Sequence, residues 1–160
     1  MTSQKNDEYQ MTTPGERDIH VERVFNASRD RVWAAYTESE LLAQWWGRGN
    51  KLDVEKWEFE RGGHWRFVEH HKDGIDGFEG RFRDIAAKDY SYEQTFEWDG
   101  MPGHPCIESA KFVDLGDGRT KVVLDDVFFT KEERDGMIQS GMEGGMNESF
   151  AALDALLARA

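Results

Sequence analysis

The side chains in this sequence with the makings of chemistry are few, and Glu69, Tyr92 and Asp126 come first because each falls in a strand-like stretch with apolar or aromatic residues on one face. A carboxyl group among apolar neighbours resists ionisation, and one whose pKa is raised in this way can act as a general acid or base near neutral pH. In HWRFVE, period-2 alternation places Glu69 on the same side as Trp65 and Phe67. In YSYEQTFEW, Tyr92 and Gln94 share a face with Tyr90, Phe96 and Trp98. In KVVLDDVFF both parities hold apolar residues, so periodicity alone leaves the side of Asp126 open. The plain alternative for all three is a hydrogen-bonded structural group or a carboxylate on the rim.

The histidines and the single cysteine carry less. His64, His70 and His71 lie close in sequence, but on a strand positions 64 and 70 are roughly 20 Å apart at about 3.3 Å per residue. His70 and His71 point to opposite faces, so no metal site is expected. His104-Pro105-Cys106 sets an imidazole two residues from a thiol, the pairing that activates a cysteine nucleophile. No group that would orient the imidazole lies nearby, and the stretch reads as the start of a strand. Gly-rich phosphate loops, G-x-S-x-G and H-E-x-x-H are missing from the sequence, and no cofactor is expected.

Composition narrows the partners. The chain has 160 residues, enough for one domain with a substantial core. Thirty-two acidic against 20 basic residues give a formal charge of −12, which repels phosphate and makes nucleic acid and anionic membrane poor partners. Arg61-Gly62-Gly63 ahead of Trp65 and Phe67 therefore reads as a hairpin turn, its glycines permitting positive φ, and not as an RNA-binding repeat. The N-terminal MTSQKNDEYQ lacks the apolar run of a secretion signal, no stretch has the ~20 apolar residues of a membrane span, and one cysteine excludes an internal disulfide. A cytoplasmic protein is expected.

Certain elements must position these groups. Residues 1–16 are polar and read as a flexible tail, with a single domain over 17–160. Ile19, Val21 and Phe25 mark a strand with one buried face. Ser28 caps a short helix through Val32, Trp33 and Tyr36, and the T-x-x-E of Thr37 and Glu40 predicts a second cap immediately after it. From about Lys51 to Phe129 the chain alternates between strands and turns, an antiparallel meander. Thr130 and Glu133 open another helix, which the glycines at 141, 144 and 145 interrupt or bend. Met146, Phe150, Leu153 and Leu157 then recur at the spacing of an amphipathic C-terminal helix.

Glu40-Leu41 leading to Trp45-Trp46-Gly47, then Arg61-Gly62-Gly63 before Trp65-Arg66-Phe67, then Gly80 with Phe82 and Ile85, Phe112, Thr120–Leu124 and a final helix from Ser149 follow one another in an order that resembles the SRPBCC superfamily. The closest branch is the one resembling the C-terminal domain of the activator of heat-shock-protein-90 ATPase. The resemblance covers roughly residues 18–158 and implies an α+β helix-grip fold. Its antiparallel sheet of about six or seven curved strands wraps around a long C-terminal helix, with two short helices after the first strand.

It further implies a cavity between sheet and helix for a small apolar or aromatic molecule. The residues expected to bind it are Trp57, Trp65, Phe67, Phe82, Tyr92, Gln94, Phe96, Trp98, Met142, Met146 and Phe150. Met146 departs from the family, where many members have tryptophan. The resemblance also favours the face of Val122 and Leu124 for Asp126. Ligand binding is the leading expectation. The alternatives are a cyclase or aromatase acting in the same cavity, since cyclases related to this fold use such acids, and a chaperone-modulating interaction domain. A monomer or homodimer is expected.

Overall fold

The computed structural model describes residues 8–159. Its eight strands are β1 (Tyr9–Thr12), β2 (Asp18–Phe25), β3 (Lys51–Trp57), β4 (His64–His71), β5 (Gly74–Ala86), β6 (Ser91–Trp98), β7 (Cys106–Asp114) and β8 (Thr120–Val127). They form one antiparallel sheet in the order β1-β2-β8-β7-β6-β5-β4-β3. The helices are α1 (Arg29–Thr37), α2 (Ser39–Leu42), α3 (Lys131–Gln139) and α4 (Met142–Leu157). The α+β helix-grip architecture is as expected, with one strand more than six or seven.

The extra strand is β1, which pairs with β2 from Tyr9↔Arg23 to Thr12↔His20. Residues 9–12 are therefore part of the sheet and not of a flexible tail. Tyr9 and Met11 pack against the core, and the Tyr9 hydroxyl donates to Glu143 on α4. The rest of the expected tail, residues 1–7, lies outside the described residues.

Local chemistry accounts for most element boundaries. Ser28 Oγ accepts from the Arg31 amide and Thr130 Oγ1 from the Glu133 amide, so α1 and α3 start at side-chain caps. Thr37 does not cap α2: it remains in α1 and donates its hydroxyl to the Trp33 carbonyl, and Glu38 stands at the cap position without a side-chain bond. Between β3 and β4, Gly62 takes the left-handed φ of 82° that the turn needs, whereas Gly63 has no positive φ. Gly80 answers a different need. A Cβ there would lie 1.9 Å from the Thr95 carbonyl oxygen and 2.8 Å from Trp65 Nε1, so only glycine admits this close approach of the β6 backbone and the Trp65 indole. Irregular registers at Val54/Lys56 and Phe82/Asp84 add bulges, which bend strands.

One face of the sheet receives the helices. Phe150 on α4 meets Phe25 edge-on at 5.6 Å, and Leu153 and Leu157 are buried one and two turns further on. Trp33 on α1 packs edge-on against Phe112 at 5.2 Å and against Tyr92 at 6.1 Å. The glycines at 144 and 145 do not interrupt the last helix. The chain breaks once, at Gly141 with φ 88°, and α4 runs unbroken from Met142.

Candidate functional site

The sheet and α4 do not close on each other completely. Between them lies a cavity of about 270 Å³. Alternation along β4 supplies one wall: Trp65, Phe67 and Glu69 face inward at 1%, 3% and 3% exposure, while His64 and Arg66 lie on the other face and pair with Glu79 and Asp99. Next to them stands Trp57 of β3, whose Nε1 donates to the Thr37 carbonyl at 2.9 Å. Tyr92, Gln94, Phe96 and Trp98 of β6 line the opposite part, and Met142, Met146 and Phe150 of α4 form the roof. Phe82 is the exception among the expected residues. It is 1% exposed but packs behind the wall, edge-on to Trp57 at 5.4 Å, and is not among the residues lining the cavity. Its place on β5, next to the Gly80 notch, turns it into core.

At one end the wall is polar. Gln94, Glu108 and Asp126 are direct cross-strand neighbours on β6, β7 and β8, forming one row perpendicular to the strands. All three line the cavity, which places Asp126 on the side that periodicity left open. Gln94 Nε2 donates to Glu108 Oε1 at 2.8 Å. Burial, and secondarily the Glu108 charge beside it, pushes the Asp126 carboxyl well above the usual carboxylate range. The hydrogen bond it shares with Glu108 raises it further, and Asp126 Oδ1 has no partner within the protein. The Tyr36 hydroxyl, from α1, is buried at the same cavity and is also unpartnered. Burial first and Glu108 second push the phenols of Tyr36 and Tyr92 up, so neither ionises.

Glu69 is placed differently. Its Oε2 accepts from Arg48 Nε at 2.8 Å and from Asn50 Nδ2 at 2.8 Å, with a further Arg48 nitrogen at 2.7 Å. Arg48, held at φ 61°, also reaches Glu148 on α4 at 3.2 Å. A carboxylate whose Oε2 takes three N–H contacts, two of them from an arginine, ties the loop after α2 to β4. Cys106 lines the cavity 2% exposed, and burial pushes its thiol up, away from the reactive thiolate. His104 pairs with Glu133 on α3 instead of with the thiol. His70 and His71 pair separately with Asp53 and Asp76.

Residues 26–158 match the model of the family described as activator of Hsp90 ATPase homolog 1-like protein. The chain belongs to this family. Solved structures agree on its SRPBCC-type fold. A protein from Rhodobacter sphaeroides superposes with a TM-score of 0.82 at 25% identity, covering 94% of this chain and 98% of that one. A protein from Arthrobacter aurescens gives 0.79 at 25% identity, covering 93% and 91%. An HSP90 activator from Plasmodium falciparum gives 0.65 at 14% identity, covering 88% and 96%. No curated protein matches the chain.

Within this Hsp90-activator-like family member, the site can do two things chemically. Its aromatic walls can enclose a flat apolar body: an apolar cavity of about 150 Å³ accommodates benzene, so about 270 Å³ suits a two-ring compound. The polar row can exchange a proton or hydrogen-bond one end of that body. Glu108 and Tyr36 were not among the residues expected from the sequence. The signal for Glu108 was present in CIESAKF, where Cys106, Ala110 and Phe112 share its parity and are all buried. In the sequence Tyr36 belongs only to the apolar face of a helix with Val32 and Trp33. Among the described residues, no helix is long and apolar enough to cross a membrane.

Proposed function

We propose that the chain binds a small aromatic molecule in the cavity between the sheet and α4. The observation that carries this reading is the unfilled volume of about 270 Å³ among Trp57, Trp65, Phe67 and Phe96. Protein interiors rarely leave such a space without use, because unfilled volume costs stability.

Titration calorimetry with 1-naphthylmethanol tests the reading. Binding in the micromolar range by the wild type is expected, together with a raised melting temperature. Trp65→Ala should abolish the response and lower stability by about 3–5 kcal/mol in urea unfolding. No heat and no thermal shift with two-ring aromatics would overturn it. A second reading, a chaperone-modulating domain, is supported by the structural likeness to the Plasmodium falciparum HSP90 activator. Stimulation of a chaperone ATPase by a protein with no ligand response would favour it. The cyclase alternative rests on the Glu108–Asp126 pair and would show as turnover of a bound substrate that is lost in Glu108→Gln.

A further inference from the structure

The polar row is unusual in what it lacks. Glu108 and Asp126 lie side by side across β7 and β8 in the cavity wall, yet no arginine, lysine or histidine among the described residues bonds to either. The neighbouring cations are engaged elsewhere. Arg23 pairs with Asp154 and lies over Phe25, and Arg48 holds Glu69 and Glu148. The groups that face the pair are Gln94 and Tyr92 from β6, Cys106 from β7 and Tyr36 from α1, all neutral. On β8 itself the adjacent Asp125 adds negative charge and is taken up by His20.

The end of the cavity thus holds a negative charge without a positive partner, and its acceptors are only partly used. Asp126 Oδ1 and the Tyr36 hydroxyl, on a residue 6% exposed, have no hydrogen-bond partner within the protein, nor has the Trp65 Nε1 donor further along the cavity, and Glu108 receives the Gln94 amide on Oε1 besides the bond it shares with Asp126. Buried polar groups in native proteins are satisfied with few exceptions. Two unsatisfied groups beside an unneutralised carboxylate, all lining one cavity, call for a ligand that brings donors and positive charge.

We propose that the molecule bound in this cavity carries a protonated amine, which Glu108, Asp126 and Tyr36 hold at the polar end while Trp65 and Phe96 enclose its aromatic body. The proposal rests on the cavity-binding reading above and specifies the ligand's class. An ammonium group has three N–H donors and no acceptor, which suits three oxygen acceptors. The faces of Tyr36 and Tyr92 add favourable cation–π contact. A carboxylate ligand would meet Glu108 with like charge, and an uncharged alcohol would offer one donor where three acceptors wait.

Calorimetry with three matched probes, 1-naphthylmethylamine, 1-naphthylmethanol and 1-naphthoate, separates the cases at pH 7. The wild type should bind the amine about tenfold or more tighter than the alcohol, the usual strength of one charge-assisted hydrogen bond, and the naphthoate weakest. In Glu108→Gln, and in Glu108→Gln combined with Asp126→Asn, that preference should vanish while alcohol affinity stays within about threefold. Equal binding of amine and alcohol by the wild type overturns the amine proposal and leaves the cavity reading standing. An amine preference that survives in both variants does the same, because the charge recognition would then lie elsewhere. No binding of any probe overturns both. The wild-type comparison requires no variant, so a carboxamide variant that misfolds does not blunt the test.

Discussion

Asp126 has a consequence that needs no ligand. Its folded-state pKa is raised, by burial first and by Glu108 second, so between the unfolded value near 4 and the folded value the native state keeps a proton that the unfolded chain releases. Stability contributed at this position is therefore greatest at acid pH, falls as pH rises through that window, and stays low above it. Asp126→Asn removes the dependence. The variant should be more stable than wild type at pH 7 in urea unfolding, with the gap closing toward pH 4 at no more than about 1.4 kcal/mol per pH unit. A gap that does not change with pH would show that the carboxyl is ionised in the folded protein. His20 has the same sign in a higher pH window. Glu22 and then Asp125 raise its folded pKa, so its contribution is complete below about 6.5 and is lost as pH rises past the folded value.

Among the elements, the α3–α4 junction borders the cavity. Met137, Gly141, Met142, Gly145 and Met146 all line it from this side, and Trp46 and Arg48 face them from the loop after α2. Gly141 bears the positive φ that makes the corner, so Gly141→Ala should destabilise the fold by about 1 kcal/mol or more. Gly144 is different, being helical, with open space where a Cβ would stand. Gly144→Ala should raise stability by up to about 1 kcal/mol and, if residues 137–146 open to admit the ligand, slow association more than dissociation in stopped-flow tryptophan quenching. Unchanged association in a more stable Gly144→Ala protein would move the mouth elsewhere.

At the scale of the whole molecule, the sequence carried the architecture better than the site. Alternation in β4 and β6 and the Phe150–Leu153–Leu157 stripe are local signals, and each placed its residues on the correct side. Tyr9–Thr12 escaped because four residues of alternation in a polar stretch are too few to outweigh composition, and what orders them is pairing with β2 and the hydroxyl bond from Tyr9 to α4. The Glu108–Asp126 pair depends on the register between two strands joined through a loop, and the engagement of Glu69 depends on Arg48 arriving from another part of the chain. Proximity across a sheet is a tertiary fact. Parity can show which face a carboxyl takes, but not which group will stand beside it.

The pairing of β2 with β8 joins Val21 to Leu124, and β2 has no partner on that side until almost the whole sheet has been made. During synthesis β2 leaves the ribosome long before β8 and must wait, and the aromatic face of β3 to β6, which α1 covers in part, is completed only when α4 arrives after β8. The nascent chain passes through a long interval as an open half-sheet with its tryptophans toward solvent, its most vulnerable state for misassociation. Chains ending at Ser140 should remain insoluble or holdase-bound in a cell-free translation, and release should require the last helix. Soluble monomer from such chains would show that the sheet shelters its own aromatic face before the helix is added.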